Sequence, residues 1–193
     1  MNKGLLIVVS GPSGVGKGTV LKEVFNSDPN LVYSVSSTTR TPRPGEVDGV
    51  HYHFLTKDQF ENNIALNKML EYASYCDNYY GTNAEYVDNQ RSAGKDVVLE
   101  IDTQGAKQIT QHCEDAITIF IAPPSFEQLE KRLIGRGTEE QSVIEKRIQT
   151  AREELLHAKE YEYVVINDAL EDAIDDVKSI LKAERLKQNK NNF

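Results

Sequence analysis

Five consecutive apolar residues, Leu5-Leu-Ile-Val-Val9, run through Ser10 into Gly11-Pro-Ser-Gly-Val-Gly16-Lys17-Gly-Thr19. No other stretch limits the fold as much. A continuous apolar run flanked by glycines suits a strand buried on both faces, the habit of a central strand in a parallel sheet. The spacing G-x-x-x-x-G-K directly after such a strand is that of a P-loop. Its glycines let backbone N–H groups curl around phosphate oxygens, Lys17 adds a mobile positive charge, and the following helix offers its positive end. Val20 and Val24 give that helix its apolar face.

Three later runs share the first one's character: Val97-Val-Leu-Glu-Ile101, Ile117-Thr-Ile-Phe-Ile121 and Tyr163-Val-Val-Ile-Asn167. Ser125-Phe-Glu-Gln128 and Ser142-Val-Ile-Glu145 match capping boxes that start helices. Ile144, Ile148, Ala151 and Leu155 recur at helical spacing, as do Leu170, Ile174, Val177 and Leu181. Strands alternating with helices imply an α/β fold with a mostly parallel sheet and right-handed crossovers. At 193 residues the chain is the size of one such domain. Residues 31–94 break the rhythm with short alternating segments and the turn clusters Thr41-Pro-Arg-Pro-Gly45 and Asn78-Tyr-Tyr-Gly81. They read as a mixed-strand insertion. The expected organisation is a core of residues 3–30, 95–132 and 148–185, the insertion 31–94, an arginine-bearing lid 133–147 and a tail 186–193. Residues from Lys182 onward read as a fraying, solvated helix end.

Charge and cysteine usage narrow the function. Thirty acidic residues against 22 Lys and Arg give a net charge of -8. Duplex binding needs a broad basic face, so nucleic acid is not an expected partner, whereas a small polyanion needs only a local positive pocket. Cys76 and Cys113 form no C-x-x-C pair, which fits a reducing compartment. Leu5–Val9 is too short to span a membrane or form a signal-peptide core. The expectation is a soluble cytoplasmic protein with no membrane partner, either a monomer or a homodimer.

A P-loop does not separate an ATPase, a GTPase and a small-molecule kinase. Ser36-Ser-Thr-Thr-Arg40-Thr-Pro-Arg43-Pro-Gly-Glu46 discriminates better, because no acidic residue occurs from Pro29 to Gly45 in an otherwise acid-rich chain. Two arginines three apart suit a bidentate clamp on a phosphate monoester. Tyr52, Glu71, Tyr80 and Thr82 arrive on further turns of the same insertion. After Lys17 stands Gly18, where a hydroxyl would ordinarily help hold magnesium, and Thr19 comes one position late. Magnesium is therefore expected with ATP, held mainly by phosphates and water and not by a dedicated set of protein ligands. Glu100 and Asp102, alternate residues ending a strand, are the candidate helpers, Glu100 first. His51-Tyr-His53 has no further Cys or His at ligand spacing and reads as tyrosine-flanked strand positions.

Five separated motifs carry a closer resemblance: the P-loop, Ser36–Glu46, Asn78-Tyr-Tyr-Gly81, Glu100-Ile-Asp-Thr-Gln-Gly105 and Gly135-Arg-Gly-Thr-Glu139. In this order, over about Lys3 to Arg185, the chain resembles guanylate kinases. The resemblance implies a P-loop nucleoside monophosphate kinase fold: a parallel-sheet core, a GMP-binding insertion and a helical lid. It implies transfer of the γ-phosphoryl group of ATP to GMP, giving ADP and GDP, in purine nucleotide metabolism. The catalytic residues it implies are Lys17, Arg40, Arg136 and Arg147. ATP falls to Gly11, Pro12, Ser13, Gly14, Val15, Gly16, Lys17, Gly18, Thr19, Arg132 and Asn167. Asn167, with Asp168, is expected near the adenine. For GMP, Arg40, Arg43, Tyr52 and Tyr80 hold the phosphate and Ser36, Glu71 and Thr82 face the guanine, with Glu100 and Asp102 completing the site. Glu100 stands where many guanylate kinases have Asp, and its side chain is one methylene longer. Two other readings stay open: a non-catalytic guanylate-kinase-like interaction module, and a P-loop kinase for another nucleoside monophosphate.

Overall fold

The structure is a computed structural model, and it describes residues 3–75, 77–135 and 141–187, with the side chains of 141–143 left aside. The chain divides into two compact units, residues 1–8 with 30–117 and residues 9–29 with 118–193.

In the first unit, β1 (Leu6–Ser10) begins beside β7 (Asp96–Glu100), which pairs in parallel with β2 (Leu31–Tyr33), Leu31 standing opposite Asp96. The apolar side chains of β1 and β7 are all buried, as their unbroken hydrophobic runs require. The same unit holds a four-stranded mixed sheet in the order β4-β3-β6-β5, built from β3 (Ser37–Thr38), β4 (His53–Phe54), β5 (Met69–Tyr75) and β6 (Asn78–Asn83). The insertion is thus mixed-stranded as expected, but it also carries two helices, α2 (Lys57–Ala65) and α3 (Ala84–Ser92). Local chemistry starts both of them. Thr56 and Gln59 form a reciprocal capping box before α2, and the Asn83 side chain accepts the Tyr86 N–H before α3. Asp102 accepts the Gly105 N–H in the same way and opens α4 (Thr103–His112).

In the second unit, β8 (Ala116–Ala122) lies between the end of β1 and β9 (Tyr163–Ile166). β8 and β9 run parallel, Ile119 opposite Tyr163 through Ala122 opposite Ile166. α1 (Lys17–Ser27) buries Val20, Leu21 and Val24, and α5 (Phe126–Ile134) starts on Ser125, whose hydroxyl accepts the Gln128 N–H. α6 is described over Gln141–Leu156, with the Ser142 that was expected to cap it inside the helix. α7 (Leu170–Leu186) corrects the reading of a solvated end after Lys182. Glu184 is buried and accepts the Tyr163 hydroxyl, and Arg185 pairs with Asp28 at 2.6 Å. Two anchored side chains in its last turn keep the helix wound to Leu186.

Candidate functional site

The phosphate loop follows β1. Gly16 ends it with φ 98°, in the left-handed region, and caps α1 without any side chain. A side chain at 16 would be strained by that backbone, and its Cβ would stand 2.6 Å from the Asn167 amide nitrogen. The loop is braced from within its own unit. Asn167 Nδ2 donates to the Val15 carbonyl at 2.7 Å, and Arg132 donates to the same carbonyl at 3.4 Å and to the Asn167 carbonyl at 3.1 Å. Lys17 folds back over the loop and donates to the carbonyls of Gly11 at 2.5 Å and Pro12 at 3.3 Å. α6 brings two side chains seven positions apart to Ser13: Arg147 donates to its hydroxyl at 2.7 Å, and Glu154 accepts its N–H at 3.4 Å. Lys17, Arg132 and Arg147 therefore bring three positive side chains to the loop before a helix N-terminus that has no side-chain cap, an arrangement that attracts anions. Gly18 and Thr19 are exposed, and a Cβ on Gly18 would meet nothing within 4 Å. Arg136 lies outside the described residues.

The mixed sheet in the other unit gathers the second set on one face. Directly paired residues share a face, and residues two apart on a strand do too. Glu71 pairs with Thr82, Ala73 with Tyr80, Tyr80 with Thr38, and Thr38 with Phe54. Continuing the alternation adds Ser36 before Thr38 and Tyr52 before Phe54. This face joins an acidic end to a cationic, aromatic end. At the first, Glu71 is only 4% exposed, and Thr82 donates its hydroxyl to Glu71 Oε1 at 2.7 Å. Burial drives the Glu71 carboxyl up to about 7, the Thr82 hydroxyl opposes the shift, and the Asp102 carboxylate adds to it. At the second, the Arg40 guanidinium lies 5.5 Å from the Tyr52 ring centre and 5.9 Å from that of Phe54. Tyr52 and Tyr80 meet edge to face at 6.0 Å.

One residue here escaped the sequence reading. Glu46 accepts from Arg40 at 2.8 Å and from the Arg43 backbone N–H at 2.7 Å, and those bonds, Arg40's first, hold its carboxyl down to about 2. It is the first carboxylate after the acid-free run, which was the available signal. Arg43 itself is exposed on the turn that Glu46 closes. Glu100, half-buried, accepts weakly from the Tyr33 hydroxyl at 3.5 Å; burial and then that carboxylate push the Tyr33 phenol up. Among the described residues no group of three or more His, Cys, Asp or Glu side chains could hold a metal ion.

A family model described as guanylate kinase matches residues 3–184. This chain belongs to the guanylate kinase family. The guanylate kinase of Desulfitobacterium hafniense is 50% identical over 184 residues, 95% of this chain and 92% of the relative. That of Lactiplantibacillus plantarum is 52% identical over 184 residues, 95% of this chain and 89% of the relative. A crystal structure of guanylate kinase from Anaplasma phagocytophilum matches with a TM-score of 0.80 at 32% identity, covering 97% of this chain and 89% of that one. The chain has the α/β fold of that family, a parallel-sheet core accompanied by a mixed sheet and helices.

Proposed function

We propose that this guanylate kinase reads its acceptor with the buried carboxylate of Glu71 and assembles its chemistry from the two residue sets above. The enzyme transfers the γ-phosphoryl group of ATP to GMP, giving ADP and GDP. The observation that carries the base assignment is a carboxylate buried on a sheet face with one oxygen tied to Thr82. Guanine presents two adjacent donors, N1–H and the 2-amino group, and one carboxylate accepts both. Adenine offers an acceptor at N1 and no 2-amino group. AMP would leave a desolvated carboxylate facing a lone pair, at a cost of roughly 1–3 kcal/mol or more. Ser36, Thr82 and Asp102 complete the guanine end, and Arg40, Arg43, Tyr52 and Tyr80 hold the phosphate, with Glu46 keeping Arg40 in place.

Phosphoryl transfer asks little covalent chemistry of a protein, so positioning and charge neutralisation supply most of the rate. An oxygen of the GMP phosphate bonds to the γ-phosphorus, and the bond from that phosphorus to the β–γ bridging oxygen breaks, its electron pair leaving on ADP. The attacking oxygen is already anionic and needs no general base. Lys17, Arg136 and Arg147 draw the phosphates together over the N-terminus of α1, while Arg132 and Asn167 keep the loop in shape. Magnesium accompanies ATP and neutralises phosphate charge when bound. Residues of this kind fit a cation held mostly by phosphate oxygens and water, with Glu100 as a single helping carboxylate. The core, insertion and lid keep the limits given above, except that β2 (Leu31–Tyr33) pairs into the parallel sheet and goes with the core. The enzyme works in the cytoplasm on free nucleotides, as a monomer or a homodimer, without nucleic acid or membrane partners. The acidic net charge and the fact that no helix among the described residues is long and apolar enough to cross a membrane support this.

The test is Glu71→Gln, which keeps the shape but turns a donor toward guanine. The KM for GMP should rise by about ten- to a hundredfold while that for ATP moves little. Equal loss of both affinities would overturn the assignment.

A further inference from the structure

Gly105 is the third residue of α4 and is buried, yet its backbone lies outside the left-handed region. Nothing in its dihedral angles calls for glycine, and glycine inside a helix costs about 1 kcal/mol relative to alanine. The reason for it lies across the first turn of the helix. A Cβ at position 105 would stand 2.6 Å from Glu71 Oε2, 3.2 Å from Glu71 Cδ and 3.3 Å from Ile101 Cδ1. The nearest of these atoms is the tip of a flexible side chain, so the fold can absorb the methyl group by moving the carboxylate. That movement has a consequence, because the other oxygen is tied to Thr82 at 2.7 Å. Glu71 can make room only by turning its carboxylate plane or giving up the Thr82 bond.

We infer that Gly105 is a specificity-determining position: the space left by its missing side chain seats the Glu71 carboxylate, so residue 105 sets where the base-reading oxygens stand. This rests on the proposed role of Glu71. Gly105 touches no substrate in this account and acts as a positioning residue. Guanine's two donors need both carboxylate oxygens in one plane, and a displacement of about 1 Å at such a group costs on the order of a hundredfold.

The experiment compares Gly105→Ala, Glu71→Gln, Glu71→Ala and the double variant Glu71→Ala/Gly105→Ala in the full chain, with thermal melts beside the kinetics. Gly105→Ala should melt no lower than the parent, because alanine favours the helix. Its KM for GMP should rise about tenfold or more, its KM for ATP should stay within about twofold, and its preference for GMP over AMP should shrink. In the Glu71→Ala background the same methyl group should add nothing. Normal GMP affinity in Gly105→Ala, or equal rises for GMP and ATP, would overturn the inference. So would a loss of stability as large in the Glu71→Ala background as in the parent. Glu71→Gln keeps the two claims apart. If it selectively loses GMP while Gly105→Ala does not, only the inference about Gly105 falls; if it loses GMP and ATP equally, the reading of Glu71 itself falls.

Discussion

Burial of Glu71 makes GMP recognition depend on pH in a way that can be worked out beforehand. In the free protein the carboxyl is driven from 4.5 to about 7, which corresponds to about 3 kcal/mol between the two protonation states. The sign follows from proton counting. Between those two values the folded chain holds a proton that the unfolded chain has lost, so this contribution to stability is complete below about 4.5 and is lost as pH rises through about 7. Binding has the opposite slope, because guanine's two donors require the ionised carboxylate. With a carboxyl at about 7, roughly a tenth is ionised at pH 6 and roughly nine tenths at pH 8. The KM for GMP should therefore fall about tenfold from pH 6 to pH 8. The GMP phosphate, with its own second pKa near 6, adds only about a factor of two. Initial rates at saturating ATP across this range, with the ATP KM measured in parallel, supply the test. Calorimetry in buffers of different ionisation enthalpy should show a proton released on GMP binding at pH 6. A GMP KM that stays flat, or a slope in Glu71→Gln much steeper than the roughly twofold that the phosphate supplies, would refute the reasoning.

Two further outcomes concern stability and the phosphate loop. Gly16→Ala should destabilise the chain by about 1–2 kcal/mol and weaken ATP before GMP, since it strains φ 98° and drives a Cβ into the Asn167 amide; thermal melts and the two KM values check it. Arg91 is buried, donates to the Gly4 carbonyl at 2.8 Å and pairs with Asp115. Arg91→Met should therefore lower stability by about 1–3 kcal/mol in denaturant titration, with the KM for GMP unchanged.

What could be read from the sequence was whatever is local in the chain. The P-loop announces itself by its glycine and lysine spacing, and the strands around Leu6, Val97, Ile119 and Val165 as short, mostly apolar runs. Arg40 stood out in the acid-free run, the roles of Glu71 and Thr82 came from the motif resemblance, and pairing in the mixed sheet puts Glu71 and Thr82 on one face by register. α2 and α3 went unread although Thr56, Gln59 and Asn83 are ordinary start signals; their apolar faces are narrow, burying Phe60 in one and Val87 in the other, so periodicity is weak. Asn167 bracing Val15 across 152 positions could not have been read, because no local rule links an amide to a carbonyl so distant. The same holds for the approach of Glu71 to Gly105. The mixed sheet and α4 create that contact, and glycine in a helix reads only as a weak propensity.

The central claim is that one chain moves a phosphoryl group from ATP to GMP and chooses guanine by a buried carboxylate. ADP release from magnesium–ATP, followed in a coupled assay with GMP, AMP, dTMP or no acceptor, tests it most directly. The account requires release that depends on GMP, with AMP and dTMP close to the acceptor-free rate. Release as fast with AMP or dTMP would keep the kinase chemistry and contradict the role given to Glu71, while a folded protein that released no ADP with any acceptor would contradict the reaction itself.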